Sequence, residues 1–450
     1  MAETIVPLNP ERHGDLAGPA RRASLIDRAA AALAGRLAQR LHYGTLVISD
    51  GAGRTRDGTS RPDEPVAQVT VTDPRTYAAL LRRGSVGLGQ SYVEGWWDCD
   101  DLTALVRILI RNIEGPGRVA DRGGQVVGRL AGSKHRSAAR DKGADRGHVQ
   151  AHYDLGNDFF ELMLDPTMMY SCGIFERPDA TLEQASTAKL DRICQRLALG
   201  PEDHVLEVGT GWGGFAVHAA ARYGCRITTT TISDAQYHYA AKRVAQMGLG
   251  RLVTVLNDDY RDLTGTYDKL VSIEMIEAIG WRQFDAFFAH CSRLLRDTGL
   301  MALQAIVIAD QSYERAKRHD DFIKLMIFPG GCLPSIDAIT RSCTRATDLR
   351  VVHLDDIGIH YAETLRRWLA NFTDHIHDVS AIGLGPSFQR LWQLYLCYCE
   401  AAFLERHVSD VQMILAKPRW QPSVQGFPLD RGWDRFAGLR SRSRSTAATA

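Results

Sequence analysis

Hydrophobic and polar positions follow two different patterns in the two parts of the chain. After residue 152, short apolar runs alternate with amphipathic segments, as in a sheet of parallel strands connected by helices. The predicted strands are HVLEVG, RITTTTI, LVTVLND, YDKLVSIEM and GLMALQAIVI. The helices FAVHAAARY and AQYHYAAKRVAQM follow the first and second of them. The pattern predicts an α/β fold with a Rossmann-like, doubly wound parallel sheet.

The first part of the chain predicts a smaller α+β domain. The Leu and Ala spacing of LIDRAAAALAGRLAQRL is typical of an amphipathic helix, and DDLTALVRILIRNI predicts a closing helix. Between them, GTLVISDGAGRTRDG and VAQVTVTD predict short strands separated by turns. We therefore expect an accessory domain over 1–114, a basic flexible linker over 115–147, a main domain with helical insertions over 148–417, and a disordered basic tail over 418–450.

Charge is concentrated in the predicted linker and tail. Residues 115–147 carry eight Lys or Arg against three acids, and the stretch from Lys417 to the end carries seven against two. Such segments could attract anionic lipid head groups, or could serve only as soluble linkers. They lack interleaved aromatic residues on a defined face, so we expect no nucleic-acid partner.

Composition narrows the class of protein further. The 450 residues, 45% of them hydrophobic, are enough for two or three globular domains. The sequence contains neither a run of roughly 18 apolar residues, as a membrane span requires, nor a signal-peptide pattern at its start. We therefore expect a cytoplasmic location. The nine cysteines are scattered without zinc or disulfide spacing, which predicts reduced thiols and no metal site.

A glycine-rich loop follows the first predicted strand of the main domain. It consists of Gly209, Thr210, Gly211, Trp212, Gly213 and Gly214. Glycines between a strand and a helix let a nucleotide approach the backbone closely. A dinucleotide site usually has an acid about twenty residues further on, but Thr231 and Ser233 stand in that region. Glu207, just before the loop, can attract the cationic groups of S-adenosylmethionine (SAM), so the residues favour SAM over NAD.

Several motifs, in a fixed order, resemble one enzyme family. HYDLGNDFF and DPTMMYSCGIF come first, and LEVGTGWGG, TISDAQ, DDYRDL, SIEMIEAIG, FPGGCLPS and HYAETLRRW follow. Together they cover about residues 150 to 417 and are similar to the cyclopropane-fatty-acid and cyclopropane-mycolic-acid synthases. GLGQSYVEGWWD resembles the accessory domain of the longer members. The resemblance implies the class I SAM-methyltransferase fold.

The resemblance also implies which residues surround the cofactor. Besides the glycine-rich loop they are Tyr170, Ser171, Thr231, Ser233, Gln236, Asp259 and Tyr260. Thr231 and Gln236 can hydrogen-bond the ribose where a dinucleotide site would use an acid. Thr231 could equally be a plain strand residue, and Asp259 a turn former.

A second implied site holds the base of the reaction. In this family the proposed base is a bound bicarbonate, and its ligand positions correspond to Cys172, Glu277, Gln304, Ile306 and Tyr361. Gln304 departs from the family, which has His there, and glutamine can neither carry charge nor shuttle a proton. Cys399 matches a cysteine sometimes named as catalytic in the family. Because methyl transfer to an alkene needs no thiolate, the alternative for this cysteine is a structural role.

The implied reaction is methyl transfer from SAM to the cis double bond of an unsaturated phospholipid acyl chain, giving a cyclopropane. The weakly nucleophilic alkene requires a dry, apolar tunnel, and aromatic faces such as Tyr361 or Phe175 can ease the charge of the intermediate carbocation. Because of Gln304, a methylene or methyl-branched product, made with a separate reductase, is the alternative.

Other functions and partners also stay open. The chain could methylate another lipid or a small molecule, or could bind lipid or SAM without catalysis. We expect it to act at the inner membrane surface as a peripheral protein, and a homodimer is a further expectation.

Overall fold

A computed structural model describes residues 23–114 and 155–421. The predicted linker over 115–147 and nearly all of the predicted tail over 418–450 lie outside the described residues. The helices are α1 (Leu25–Ala38), α2 (Arg75–Val93), α3 (Leu102–Glu114), α4 (Asn157–Met163), α5 (Leu182–Arg196), α6 (Gly214–Tyr223), α7 (Asp234–Gln246), α8 (Phe284–Leu294), α9 (Asp310–Ala316), α10 (Phe322–Met326), α11 (Ile336–Ala346), α12 (Gly358–Asp374), α13 (Ile376–Ala381) and α14 (Pro386–Leu404). The strands are β1 (Thr45–Asp50), β2 (Gly53–Gly58), β3 (Val66–Val71), β4 (Trp97–Cys99), β5 (His204–Val208), β6 (Arg226–Thr230), β7 (Val253–Leu256), β8 (Tyr267–Ile273), β9 (Leu295–Ile308), β10 (Arg350–Asp356) and β11 (Val408–Ala416).

The N-terminal part combines a four-stranded sheet with three helices. The strand order is β2-β1-β3-β4, in which β1 and β3 are parallel and the other pairs antiparallel. A capping box starts α1, because the Ser24 hydroxyl accepts from the Asp27 N–H at 3.2 Å and the Asp27 carboxylate accepts from the Ser24 N–H at 2.9 Å. The helix α2, which the sequence pattern did not predict, has non-helical backbone angles at Gly84.

The larger part is built on a seven-stranded sheet of order β10-β11-β9-β8-β5-β6-β7. Strands β5 to β9 are parallel, so the predicted doubly wound sheet is confirmed. Strand β11 is antiparallel to both β9 and β10, and it extends the sheet at one edge. The carboxyl ends of β5 and β8 lie next to each other, which is where doubly wound sheets bind ligands.

The two parts share one apolar cluster. Its buried residues include Trp97 and Ile108 from the N-terminal part and Phe159 and Trp392 from the larger part. At the surface of this contact, the Arg107 Nε lies 2.6 Å from a carboxylate oxygen of Glu405, whose side chain has no exposed surface. The N-terminal part therefore packs directly against α14 and its C-terminal end.

None of the helices within residues 23–114 and 155–421 is long and apolar enough to cross a membrane. Within the same two ranges, the structure contains no group of His, Cys, Asp or Glu side chains that could hold a metal ion.

Candidate active site

The glycine-rich loop turns sharply between β5 and α6. Gly209, Gly211 and Gly213 have φ values of 102°, 51° and 82°, a backbone region that favours glycine. Gly214 is required for a different reason, because a Cβ there would lie 2.4 Å from the Met169 sulfur and 2.8 Å from the Thr167 carbonyl oxygen. The loop therefore brings bare backbone to the carboxyl end of the sheet and packs tightly against the segment around Met169.

Glu207 lies on β5 beneath this loop and is only 3% exposed. The Thr229 hydroxyl, 2.7 Å from that of Thr210, donates to the Glu207 carboxylate at 2.6 Å. Burial raises the pKa of Glu207 to about 8, against the lowering effects of Thr229 and Lys189. A cationic ligand beside this carboxyl would favour its ionised form. Glu207 is thus placed to respond to the charge of SAM.

Three polar residues predicted to bind the cofactor, of which Thr231 and Gln236 were predicted to face the ribose, lie together after β6. The Thr231 hydroxyl donates to the Gln236 side-chain oxygen at 2.9 Å, and both residues are buried. The Ser233 hydroxyl accepts from the Gln236 N–H at 3.3 Å and begins α7. This arrangement fixes the Gln236 amide, so that its two N–H groups can donate to a ribose hydroxyl.

Asp259 and Tyr260, also predicted at the cofactor, make their described contacts within their own region. Asp259 accepts from the Arg261 N–H at 2.9 Å and from the Arg261 guanidinium at 2.8 Å. The Tyr260 ring packs edge-on against Phe287 of α8, with centroids 5.6 Å apart. These contacts place Asp259 at the turn after β7 and the Tyr260 ring against α8, and a cofactor role for both residues stays a prediction.

Aromatic side chains form a continuous wall beside the loop. Rings in contact run from Phe160 through Tyr170 and Trp368 to Tyr361 and Phe403, at centroid distances from 4.5 to 6.0 Å. We call these five residues the aromatic wall. Phe160 and Trp368 are completely buried, and Tyr170 is the partly accessible member of the wall. Aromatic faces attract apolar groups and cations.

Trp212 and Ser171 are each held by one strong contact. The Trp212 indole N–H donates to the Asn157 side-chain oxygen at 2.8 Å, and its ring packs against Phe160. The indole therefore anchors the loop to α4. The Ser171 hydroxyl accepts from the Lys189 ammonium at 2.6 Å, and Lys189 is completely buried.

Glu274, at the carboxyl end of β8, is the hydrogen-bonding centre of the site. Its Oε1 accepts from the Cys172 N–H at 2.9 Å and from the Gln304 side-chain Nε2 at 2.8 Å. Its Oε2 accepts from the Tyr361 hydroxyl at 2.6 Å. The sequence analysis did not identify this residue, because its contacts come from elements that are distant in the chain.

The positions predicted to hold bicarbonate are thus brought together, but around protein carboxylates. Cys172, Gln304 and Tyr361 donate to Glu274, and the Ile306 N–H donates to Glu277 at 2.5 Å. The Glu277 Oε2 is buried and has no hydrogen-bond partner among the described residues.

Asp410 on β11 is a third acid here, and with Glu274 and Glu277 it forms what we call the carboxylate cluster. Asp410 accepts from the Gln304 Nε2 at 2.9 Å, and its pKa lies well above the usual range because of burial and the charge of Glu274. Burial and the charge of Glu274 also raise the pKa of Glu277 to about 8. Asp410 and Glu277 are therefore largely protonated at neutral pH.

Lys189 supplies positive charge to this region. Its pKa is lowered by burial, while the charges of Glu274, Cys172 and Asp410 act in the opposite direction. Nothing in the motifs pointed to Lys189 or Asp410, because each comes from an element distant in sequence from β8.

Two residues considered from the sequence have other surroundings. Cys399 lies on α14, where burial and then the charge of Asp321 raise the pKa of its thiol far above the usual value. It is therefore a neutral thiol and a poor nucleophile. Phe175 lines an open surface groove, and the Arg367 guanidinium lies 5.8 Å from its ring centroid. Of the two aromatic faces considered, Tyr361 belongs to the aromatic wall and contacts Glu274.

Comparisons with known proteins agree on one family. The family model described as mycolic acid cyclopropane synthetase matches residues 140–413. The chain is 36% identical to the tuberculostearic acid methyltransferase of Mycobacterium tuberculosis, covering 86% of this chain and 92% of the relative. It is 34% identical to the cyclopropane-fatty-acyl-phospholipid synthase of Escherichia coli, covering 81% and 91%. The solved structure of the mycolic acid cyclopropane synthase CmaA1, complexed with SAH and CTAB, has a TM-score of 0.57 and 33% identity, covering 60% of this chain and 98% of the other.

Proposed function

The chain belongs to the mycolic acid cyclopropane synthetase family and is a SAM-dependent methyltransferase, and from that premise we propose that it methylates the cis double bond of an unsaturated phospholipid acyl chain. The observation that supports this substrate is the contact between the carboxylate cluster and the aromatic wall. The Glu274 carboxylate, which can accept a proton, is hydrogen-bonded to the Tyr361 hydroxyl, and the Tyr361 ring stacks on Phe403 with centroids 4.5 Å apart. The carboxylate therefore lies next to an apolar surface. Enzymes that methylate nitrogen or oxygen need no such shelter for a carbocation.

Different residues of the site would carry out different parts of this reaction. The loop from Gly209 to Gly214, with Glu207 and the Thr231–Gln236 pair, would hold SAM, which supplies an electrophilic methyl group when bound. The aromatic wall would align the alkene with that methyl, and proximity of this kind can contribute several of the roughly 8 kcal/mol or more that catalysis requires. The same wall would exclude water, which would otherwise capture the cation as an alcohol.

Two products can arise from the cation. Immediate loss of a proton from the transferred methyl closes a cyclopropane ring, which is the product expected from the motifs. Loss of that proton after a hydride shift leaves a methylene branch, which a separate reductase could saturate. Gln304 favours the branch, because its amide is fully occupied by Glu274, Asp410 and Gln412 and leaves the site without the histidine of the ring-forming motif.

The proposal places the enzyme at the surface of a membrane as a peripheral protein, since its substrate is a phospholipid. The helix α1 supports this location. It exposes Leu25 at 80% and Ile26 at 61%, and Arg28 and Arg36 lie on the same helix. Exposed apolar side chains beside basic ones are suited to an anionic lipid surface. Cytoplasmic location and a homodimer belong to the same proposal.

The test is the lipid composition of cells that express the chain. Phospholipid acyl chains should gain the mass of one CH₂ relative to cells carrying an empty vector, and only monounsaturated chains should be converted. NMR of the purified acyl chains then separates strongly shielded ring protons from terminal-alkene or branched-methyl signals. Methylation confined to head groups would contradict the proposal.

A further inference from the structure

Resting on the proposed function, we propose that Glu274 is the catalytic base of this enzyme and takes the place of the bicarbonate that the family resemblance implies. Its carboxylate would remove the proton from the transferred methyl group. The enzyme would then carry its base within its own chain and would need no bicarbonate for turnover.

Protein carboxylates already accept the hydrogen bonds that a bicarbonate would need. Cys172, Gln304 and Tyr361 are three of the five predicted ligands, and each of them donates one hydrogen bond to the Glu274 carboxylate. A fourth, the Ile306 N–H, donates to Glu277. A planar carboxylate with two oxygens therefore stands where a planar bicarbonate would need the same hydrogen bonds, and the residues present do not fit a second anion.

The charges around Glu274 also disfavour a bound bicarbonate. Glu277 and Asp410 surround Glu274 and are largely protonated at neutral pH, because burial raises the pKa of both. Glu274 instead receives three hydrogen bonds on its two oxygens, which is the pattern of a carboxylate anion. Adding bicarbonate would bring a further negative charge into this half-buried acidic cluster.

The backbone of Glu274 has an unusual conformation. Its φ is 47°, in the left-handed region that a non-glycine residue rarely adopts. Such conformations persist where the surrounding structure imposes them and are concentrated at functional sites. Here the strained backbone directs a carboxylate to the three donors, whereas glycine would fit the same backbone without strain.

Glu274 lies next in sequence to a residue that contacts the cofactor loop. The next residue, Met275, lies against Gly209, where a Cβ would be 3.2 Å from the Met275 Cγ. Glu274 also remains partly accessible, in contrast to the completely buried Cys172 and Lys189. Glu274 is thus one residue away from a contact with the loop, and its partial accessibility allows it to meet a bound ligand.

The step balances without any further reactant. The π electrons of the alkene form the new C–C bond to the methyl carbon, while the S–CH₃ bond breaks and its electron pair stays on sulfur. Glu274 then takes a proton from that methyl. The released C–H electron pair forms either the third ring bond or, after a hydride shift, the exocyclic double bond. Glu274 becomes a neutral acid and returns its proton to water after product release.

The test begins with the full-length protein in buffer freed of carbon dioxide. Using phospholipid vesicles with monounsaturated chains, we expect the unsubstituted enzyme to turn over at the same rate with and without added bicarbonate. A requirement for bicarbonate would overturn the role of Glu274 while leaving the proposed function intact. Absence of lipid methylation under both conditions would instead contradict the proposed function.

Two substitutions complete the test. Glu274→Gln fills the same space but cannot take a proton, and should lose about 10²- to 10⁴-fold in turnover, whether or not bicarbonate is added. Glu274→Gly should show a similar loss that added bicarbonate partly restores, because the space and the three donors become free. Turnover of Glu274→Gly at the full rate without bicarbonate would overturn the inference.

The control is Ala198→Gly, which relaxes a positive φ of 51° in the turn after α5 and should leave turnover unchanged. SAM binding by each variant shows that it is folded. If neither variant folds, Glu274→Asp decides the question through the isotope effect with SAM carrying a CD₃ group. The shorter aspartate side chain displaces the carboxylate from the methyl group, so the isotope effect should increase. An unchanged isotope effect would contradict the inference.

Discussion

The Tyr361 hydroxyl donates to the Glu274 carboxylate across 2.6 Å, joining two residues that are 87 positions apart in the chain. The contact brings α12 onto the carboxyl end of β8. Because the Tyr361 ring also stacks on Phe403, one side chain both orients the acid and presents an aromatic face. Proton removal and cation stabilisation are therefore coupled through a single residue.

Glu277→Gln separates the roles of the two neighbouring glutamates. Because the pKa of Glu277 is raised to about 8, its neutral form predominates at neutral pH, and glutamine can accept the same hydrogen bond from the Ile306 N–H. We expect SAM affinity within a few fold of the unsubstituted enzyme and a far smaller loss of turnover than for Glu274→Gln. Steady-state kinetics and calorimetric titration measure both quantities. Full activity of Glu274→Gln together with an inactive Glu277→Gln would assign the base to Glu277 instead.

Gln304→His should destabilise the fold by about 1–3 kcal/mol, because histidine cannot replace all three hydrogen bonds of this buried amide. Urea denaturation measures this change.

Combined with Glu274→Gly, the Gln304→His substitution restores a site that can hold bicarbonate, so we expect the cyclopropane fraction of the product to rise when bicarbonate is added. An unchanged ratio of ring to branch in the double variant would show that Gln304 does not influence the product.

The affinity for SAM should depend on pH through Glu207. The pKa of Glu207 is about 8 in the ligand-free protein, and a cationic ligand lowers it, so binding below pH 8 releases a proton. Affinity should therefore rise with pH and level off above about pH 8. Calorimetry in buffers of different ionisation enthalpy measures the released proton. Glu207→Gln should flatten this dependence, whereas Glu277→Gln should retain it; equal slopes for all three proteins would exclude Glu207 as the linked group.

Glu405→Gln should loosen the contact between the N-terminal part and α14. The Glu405 side chain is fully buried between Arg107 and Arg111, which are themselves partly exposed. We expect a loss of about 1–3 kcal/mol in the free energy of unfolding, below the 3–5 kcal/mol of a fully buried pair. Denaturant titration measures the loss. Glu314→Gln, at an exposed ion pair on α9, is the matched control and should change stability very little.

The sequence predicted those elements whose signals are local. The apolar run of β5, the glycines after it and the apolar residues of α6 all lie within one short stretch, and the structure has the strand, the turn and the helix there. Helices α1 and α3 were likewise predicted from the spacing of their apolar residues. The antiparallel edge was not predicted, because β10 is partly exposed and is defined by its register with β11.

The chemistry of the site was predictable only in part, because some of its contacts join residues that are distant in the sequence. The motifs placed Cys172, Gln304 and Tyr361 together, and the structure brings their donors to one point. That point is Glu274, whose importance depends on contacts from three distant elements and on Asp410 of β11. No local pattern distinguishes such a residue from an ordinary acid that ends a strand.

Transfer of deuterium from SAM carrying a CD₃ group, with the full-length protein and vesicles of a monounsaturated phospholipid, tests the central claim most directly. We predict acyl chains that retain two of the three deuterium atoms, because methyl transfer to carbon is followed by loss of one from the methyl group. Vesicles of a saturated phospholipid should remain unlabelled. Retention of all three deuterium atoms, or label in the head group, would contradict the account.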